Sequence, residues 1–390
     1  MKKTVVLFCF LLSSITSYSQ PRSTEDQFIN PFWDFYAENS LSSVNAGKGN
    51  TGVASLNDMS GINFNPATLE MPEMLQVSVS YEFKSNALWL PEISSDLKLK
   101  QVHPELFAGI GYRINDKFSI GLVYQNNYSF KLDIGEVIET NELGELTGRS
   151  YTAYERYTTN TISLPFVYKY KFLKAGLNLS AMYYKGFNNF SLTTEINPDD
   201  NMEGDNNASF WKFIPTLGIT LTPIEQFSFG ASYSPPYQEV VDWDYPGNIQ
   251  DPSVPVYFPA KVNVGTELRL LKKKLIFDLD YRFQNTSRSY LLRDRHDLYF
   301  GMQYALEPNF TVRTGFFTLL DYRTNDKGSN FIDPIGSYNQ YFLTIGGTYK
   351  VKGFATSFSI MTSNIITTPD VASTRIQATL TYDLCECNFR

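Results

Sequence analysis

From Leu75 onward, apolar and polar residues alternate with a period of two. Leu75, Val77, Val79, Tyr81 and Phe83 are apolar, and Gln76, Ser78, Ser80 and Glu82 between them are polar. The alternation returns at Phe118–Tyr124, Phe227–Tyr233, Leu275–Phe283 and Ile376–Leu384. A period of two means strands with one apolar and one polar face. Fourteen such segments can be drawn, near 75–83, 102–114, 117–131, 156–170, 172–192, 208–223, 226–240, 257–271, 273–287, 295–306, 309–323, 338–351, 354–367 and 372–384. Many reach about ten residues or more, enough to cross a bilayer at a tilt, whereas soluble sandwich strands run about five or six.

The connections sharpen this expectation. "NDK" (115–117), "FLK" (172–174), "PIEQ" (223–226), "LKKK" (271–274), "EPN" (307–309) and "VKG" (351–353) are tight turns after every second strand. The other connections are longer on average and include 136–155, 197–207, 239–255 and 325–337, rich in Asp, Asn, Gly and Pro. An outer-membrane β-barrel sorts its connections in this way, with short turns periplasmic and long loops outside. A large soluble β-protein, the alternative, has no reason to do so. The expected fold is therefore all-β: a transmembrane antiparallel barrel of about fourteen strands, with apolar faces toward lipid and polar faces toward the lumen. An even strand number puts both termini on the periplasmic side. Tyr112, Tyr168, Trp211, Tyr349 and Tyr382 fit interfacial girdles, and 15% aromatic content agrees with them.

The N-terminal residues read differently. Lys2 and Lys3, the apolar run Thr4–Ile15, and the small residues Ser17 and Ser19 form a secretory signal peptide over 1–20. Residues 21–74 have no strong period, and 75–390 carry the barrel. No later apolar run is long enough for a spanning helix. In an exported chain, Cys385 and Cys387 near the end of the sequence read as two unpaired thiols rather than a metal or redox site. The net charge of −7 is spread along the chain without a basic patch, so nucleic acid is not an expected partner.

Within 21–74 lies "NAGKGNTGVASLNDMSGINFNPATLE", Asn45 to Glu70, in which Gly47, Gly49 and Gly52 spell G-x-G-x-x-G. A dinucleotide cradle needs a buried strand before it and a helix after it. The preceding "YAENSLSSVNA" is too polar for such a strand, and Asn57, Gly61, Asn63, Asn65 and Pro66 break any following helix. No cofactor is expected. The lumen of a fourteen-stranded barrel is wider than its side chains fill, so this segment is expected to sit in it as a plug, with "NPA" (65–67) as an Asn-capped, Pro-fixed turn.

That stretch resembles the N-terminal signature of the FadL/TodX outer-membrane transport proteins. The matching residues are Gly47, Gly49, Asp58, Asn65, Pro66, Ala67 and Leu69. "PTLGITLTPIEQFSFGASYSPP" (215–236) and "FPAKVNVGTELRL" (258–270) are similar to the family's later strands. The resemblance implies a fourteen-stranded barrel with an N-terminal hatch, carrying hydrophobic molecules such as long-chain fatty acids or hydrocarbons. It also implies an inward kink in the third strand that lets ligand leave sideways into outer-membrane lipid. The matching residues are Asn127, Tyr128 and Ser129, with Ser129 where glycine is common. A related branch works in protein secretion to the cell surface, which makes secretion-system partners the rival reading.

On the strand phase, Lys261, Glu267, Arg269, Asp278, Asp280, Arg282 and Arg313 point into the lumen. A fatty-acid carboxylate wants such cations, and so does a charge network that holds a plug. Asp280 and Arg282 are expected in the latter. His103 and His296 are the only histidines and lie in no triad or metal spacing, so no enzyme is expected.

Overall fold

The computed structural model describes residues 41–384 apart from 56–58, 70, 72, 90–97, 141–145, 195–201, 243–252, 288–292, 323–338 and 368–371. The expected signal peptide, Asp58, Cys385 and Cys387 lie outside the described residues. Among the described residues sixteen strands follow one another: β1 (Leu75–Trp89), β2 (Lys98–Arg113), β3 (Phe118–Thr140), β4 (Leu146–Tyr170), β5 (Leu173–Thr194), β6 (Met202–Ile224), β7 (Phe227–Ser234), β8 (Tyr237–Asp242), β9 (Ser253–Phe258), β10 (Lys261–Leu270), β11 (Leu275–Gln284), β12 (Arg295–Glu307), β13 (Phe310–Leu319), β14 (Gln340–Val351), β15 (Phe354–Thr362) and β16 (Ser373–Leu384). Fourteen of them close an antiparallel barrel, β1 pairing with both β2 and β16, while β8 and β9 form a separate two-stranded ribbon. Closure leaves no sheet edge for hydrocarbon to strip of water, where each unpaired backbone group would cost several kcal/mol (about 2–7).

The period of two sorts the faces as expected. Val77, Val79, Tyr81 and Phe83 of β1 are exposed on the outer surface, and Ser78, Ser80, Glu82 and Lys84 are buried inside. Tyr112, Tyr168, Trp211 and Tyr349 are exposed aromatics on the outside. His296 is also on the outer face, its Nδ1 2.5 Å from the Tyr281 hydroxyl.

The short turns are built from local chemistry. Lys352 (φ 46°) and Gly353 (φ 84°) join β14 to β15 in two residues, both in the left-handed region that matches hairpin twist. Between β2 and β3, the Asn115 side chain accepts from the Lys117 and Phe118 amides at 2.9 and 3.0 Å. Lys273 and Glu225 tie two adjacent turns at 2.6 Å. The Lys273 ammonium holds the exposed Glu225 carboxyl below its usual range. Leu75 of β1 lies opposite Leu384 of β16, at the same end as these turns.

The strands differ from expectation on the other side. β3–β6 run 23, 25, 22 and 23 residues, about twice what a bilayer crossing needs. They overrun much of 136–155 and 197–207, expected as loops. Above the hydrocarbon no face must be apolar, so the alternation fades there while backbone pairing continues. The expected loop 239–255 likewise includes parts of β8 and β9.

A barrel of this kind stays folded in detergent and migrates faster on a gel unheated than boiled. Epitope tags near Gly144 or Asp242 should be reachable on intact cells, and tags near Asp116 or Lys273 should not. The reverse pattern would invert the orientation.

Candidate functional site

The described residues of 41–71 lie inside the ring. Ser42 caps a short helix, α1 (Ser43–Gly47), by accepting from the Val44 amide, and α1 packs against β13–β16. Asn65 caps the Pro66–Thr68 turn: its Oδ1 accepts from the Ala67 amide at 3.0 Å, and Pro66 supplies a preset φ. The Asn65 Nδ2 donates to the carbonyls of Val53 and Ile219, both at 2.8 Å. One side chain thus fixes its own turn, the neighbouring loop and the wall at β6.

Close approach of this segment to the wall depends on glycines paired across the ladder. Gly176 faces Gly218, Gly230 faces Gly265, and Gly301 faces Gly315. A Cβ on Gly176 would run into the Ala67 amide, on Gly230 into the Val53 carbonyl, and on Gly315 into the Gly49 amide. Glycine inside a strand marks such backbone contact. Gly49 itself sits at φ +71°, and a Cβ there would collide with the Phe300 carbonyl. Gly47 packs on Gly346. Two of the G-x-G-x-x-G glycines therefore meet strand backbone.

The wall meets this segment with different chemistry on different sides. Toward β14–β16 the partners are hydroxyls: Thr379 accepts from the Ser43 amide and Thr344 from the Gly49 amide, both at 2.9 Å. Toward β10–β11 they are charges. Lys48 Nζ lies 3.2 Å from Asp278 and donates to Ser55 at 2.8 Å. One oxygen of Asp280 accepts from the Gly52 and Val53 amides at 2.7 and 3.0 Å. Gly52, the third glycine of the motif, is thus a donor to a carboxylate. Toward β2–β4 the contact is mainly apolar: Leu41, Met59, Ile62, Leu69 and Met71 cluster with Phe107, Val123 and Val167, and beside them the Asn63 and Gln125 amides exchange two bonds at 2.7 Å.

The other candidate charges fall in place around this frame. Arg269 pairs with Glu267 and donates to the Glu225 carbonyl at 2.9 Å. Arg313 donates to Gln303 at 2.8 Å and Thr348 at 2.6 Å. The Arg282 guanidinium lies over the rings of Phe64 (5.7 Å) and Tyr299 (4.6 Å). Lys261 is half-buried at the first rung of β10, opposite Gln284. Arg282 and Arg375 line a cavity with Asn50, Phe64, Tyr299, Phe317 and Leu319. Tyr299, Phe317 and Phe342 form a buried stacked row across β12–β14, with centroids 5.6 and 4.6 Å apart.

Asn127 sits at a bulge: the β3–β4 register jumps between Asn126 and Tyr128. β2 and β3 are paired from Arg113↔Ser119 to Phe107↔Gln125, and among the described residues no β2–β3 pair lies beyond this point. β2 continues with β1 as far as Lys98↔Trp89, and β3 continues with β4 to Thr140↔Leu146. The two strands part next to the candidate kink.

No family model matches the sequence, and no curated protein matches it. Solved structures do. The Ralstonia pickettii toluene transporter TbuX aligns with a TM-score of 0.60 at 14% identity, over 92% of this chain and 98% of that one. The Pseudomonas putida toluene transporter TodX aligns at 0.63 and 13% identity, over 89% and 98%. A Pseudomonas aeruginosa FadL homologue aligns at 0.62 and 14%, over 89% and 99%. This chain has the FadL/TodX-type fold. At such identities the likeness is one of architecture, an outer-membrane β-barrel, and it agrees with the strand count and order.

Three contributors to this FadL/TodX-type lumen were not singled out from sequence: Lys48, the paired strand glycines and Arg375. The glycines did carry a signal, since they recur at inward positions of neighbouring strands.

The paired glycines predict a sharp contrast. Gly230→Ala should unseat residues 47–55 and raise permeability to small sugars in vesicles, with the unheated gel mobility retained. Gly347→Ala should change nothing, because its Cβ would meet only ordinary contacts, the nearest at 3.6 Å. Lys48→Met should weaken seating by about 3–5 kcal/mol through the stranded Asp278 charge, and Lys48→Met with Asp278→Leu should recover much of it. Hydrogen exchange at 47–55 checks both.

Proposed function

We propose that this protein carries hydrophobic molecules across an outer membrane, from a lumen blocked by an N-terminal hatch and out sideways between β2 and β3. The hatch is the 21–74 segment, with Gly47, Gly49, Asp58, Asn65, Pro66, Ala67 and Leu69 as its motif. The observation that carries the reading is the parting of β2 from β3 beside the apolar cluster of Met59, Met71, Phe107 and Val123. An apolar molecule there stays out of water from the lumen to the lipid, whereas the β10–β11 and β14–β16 sides offer charge and hydroxyls. The bulge at Asn127 bends β3 at the parting. The toluene transporters TbuX and TodX share the architecture.

Among hydrophobic molecules, a long-chain fatty acid is the candidate over a bare hydrocarbon: Arg282, over the Phe64 and Tyr299 rings, and Arg375, 3.9 Å from Glu82, line one cavity, and an anionic head would exchange ring contacts of Arg282 for a charged one. The chain acts as a channel rather than an enzyme. It is exported by residues 1–20 to the outer membrane, with both termini and the short turns on the periplasmic side. Secretion to the cell surface gains no support from this lumen, since a hatch there would stand in the path that a polypeptide cargo needs.

Expression in a strain lacking its own transporter should raise uptake of labelled oleate. Arg282→Gln should lower oleate uptake about tenfold, the loss of one charged hydrogen bond, and leave toluene uptake unchanged. If uptake stays flat while deletion of the gene strips proteins from the cell surface, the secretion reading replaces this one.

A further inference from the structure

The β8–β9 ribbon leaves the barrel wall in an unusual way. The β7–β10 ladder ends at Ser234↔Lys261, and the β8–β9 ladder begins at Tyr237↔Phe258. Both have the same register, so two strands continue upward with two rungs missing. Pro235, Pro236 and Pro259 occupy three of the four positions in those rungs. Proline has no N–H to give a ladder. The break is therefore a joint, where the two strands keep their register without bonding to each other.

The ribbon is folded against the inner face of β5 and β6. There Tyr184 and Phe210 stack at 4.8 Å, next to the buried Met182. The ribbon adds its own stacked pair, Tyr237 and Phe258, at 4.4 Å. Phe258 meets Tyr184 edge-on at 6.3 Å, and the Tyr237 hydroxyl reaches the Met182 sulfur at 3.2 Å. At the edge, Lys212 Nζ lies 2.9 Å from Glu239 and donates to the Gln238 carbonyl at 3.3 Å.

We propose that the β8–β9 ribbon is a lid: its Tyr237 and Phe258 rings fill an aromatic site on the inner wall, and swinging about the proline joint vacates that site for an apolar ligand. Three features fit a moving part. The joint carries no ladder bond between its own two strands, and its one backbone tie to the wall among the described residues is the Asn285 amide donating to the Ala260 carbonyl at 3.1 Å. A two-stranded ribbon is marginal without packing, so its position depends on the rings, on Lys212 with its Glu239 and Gln238 partners, and on the Tyr257 hydroxyl donating to the Asn285 carbonyl at 3.4 Å. That ion pair is partly exposed, the kind that contributes little. A ring in the site and an apolar ligand compete for the same surface by the same chemistry, so arrival of ligand favours the open lid. The identity of the occupant rests on the transport reading above; the motion of the ribbon does not.

The test uses the full-length protein in lipid vesicles, with Cys385→Ser and Cys387→Ser as background and Met182→Cys as a reporter behind the lid. An impermeant maleimide should label this cysteine slowly. Lys212→Glu, which sets two carboxylates against each other, should speed labelling roughly fivefold, the scale of one exposed ion pair. Adding Glu239→Lys should restore the slow rate. Equal rates in all three proteins, each shown to be folded by unheated gel mobility, would overturn the lid. Oleate and toluene uptake by the same variants separates the two readings. If labelling follows the charge pattern but uptake of both probes is absent throughout, the lid stands and the transport reading falls.

Discussion

Everything in this molecule follows from the need to pair backbone polar groups where there is no water. Fourteen strands meet that need by closing on themselves. Departures from full pairing are therefore informative. β3 leaves β2 after Gln125, and β7 leaves its line after Ser234. One departure lies next to an apolar cluster and the other is made of prolines. Each has a local cause in side chains or ring chemistry, and neither interrupts the closed belt of pairing below it.

Inside the belt the same constraint applies to the described residues of 41–71, most of which are buried. Side chains supply the missing partners. Asp280 takes two amides, Thr344 and Thr379 take one each, and Asn65 serves two carbonyls. Such bonds require contact distance, which a Cβ on either surface would forbid. The glycine pairs Gly176–Gly218, Gly230–Gly265 and Gly301–Gly315 make that distance possible. Strand glycines and polar anchors are thus two halves of one arrangement. A buried ion pair such as Lys48–Asp278 adds less to net stability than to register, since its attraction is offset by the loss of water around both charges.

The unequal chemistry of the wall gives the lumen a direction. Methionines and aliphatic residues pack toward β2–β4, beside the Asn63–Gln125 pair, and charges and hydroxyls meet the segment at β10–β11 and β14–β16. Methionine suits an irregular apolar contact of this kind, because its side chain is long, unbranched and polarizable. Arg282 links the two regions, lying over Phe64 of the enclosed segment and Tyr299 of the wall.

The alternation from Leu75 to Leu384 and the sorting of its turns were enough to fix the barrel, its strand number and which side chains face inward. Those features are local: a period of two is written residue by residue, and a tight turn by its own Asn, Gly or Lys. The Asn65–Pro66–Ala67 turn was legible for the same reason. The height of β3–β6 was not, because outside hydrocarbon no face must be apolar and the alternation that marks a strand disappears. Nor could the sequence say that Lys48 meets Asp278, 230 residues away along the chain, or that Gly52 is a donor to Asp280. Pairings of that kind depend on how a segment without periodicity settles among fourteen strands. Only the closed tertiary structure decides them, because it sets which backbone groups are cut off from water and must find each other.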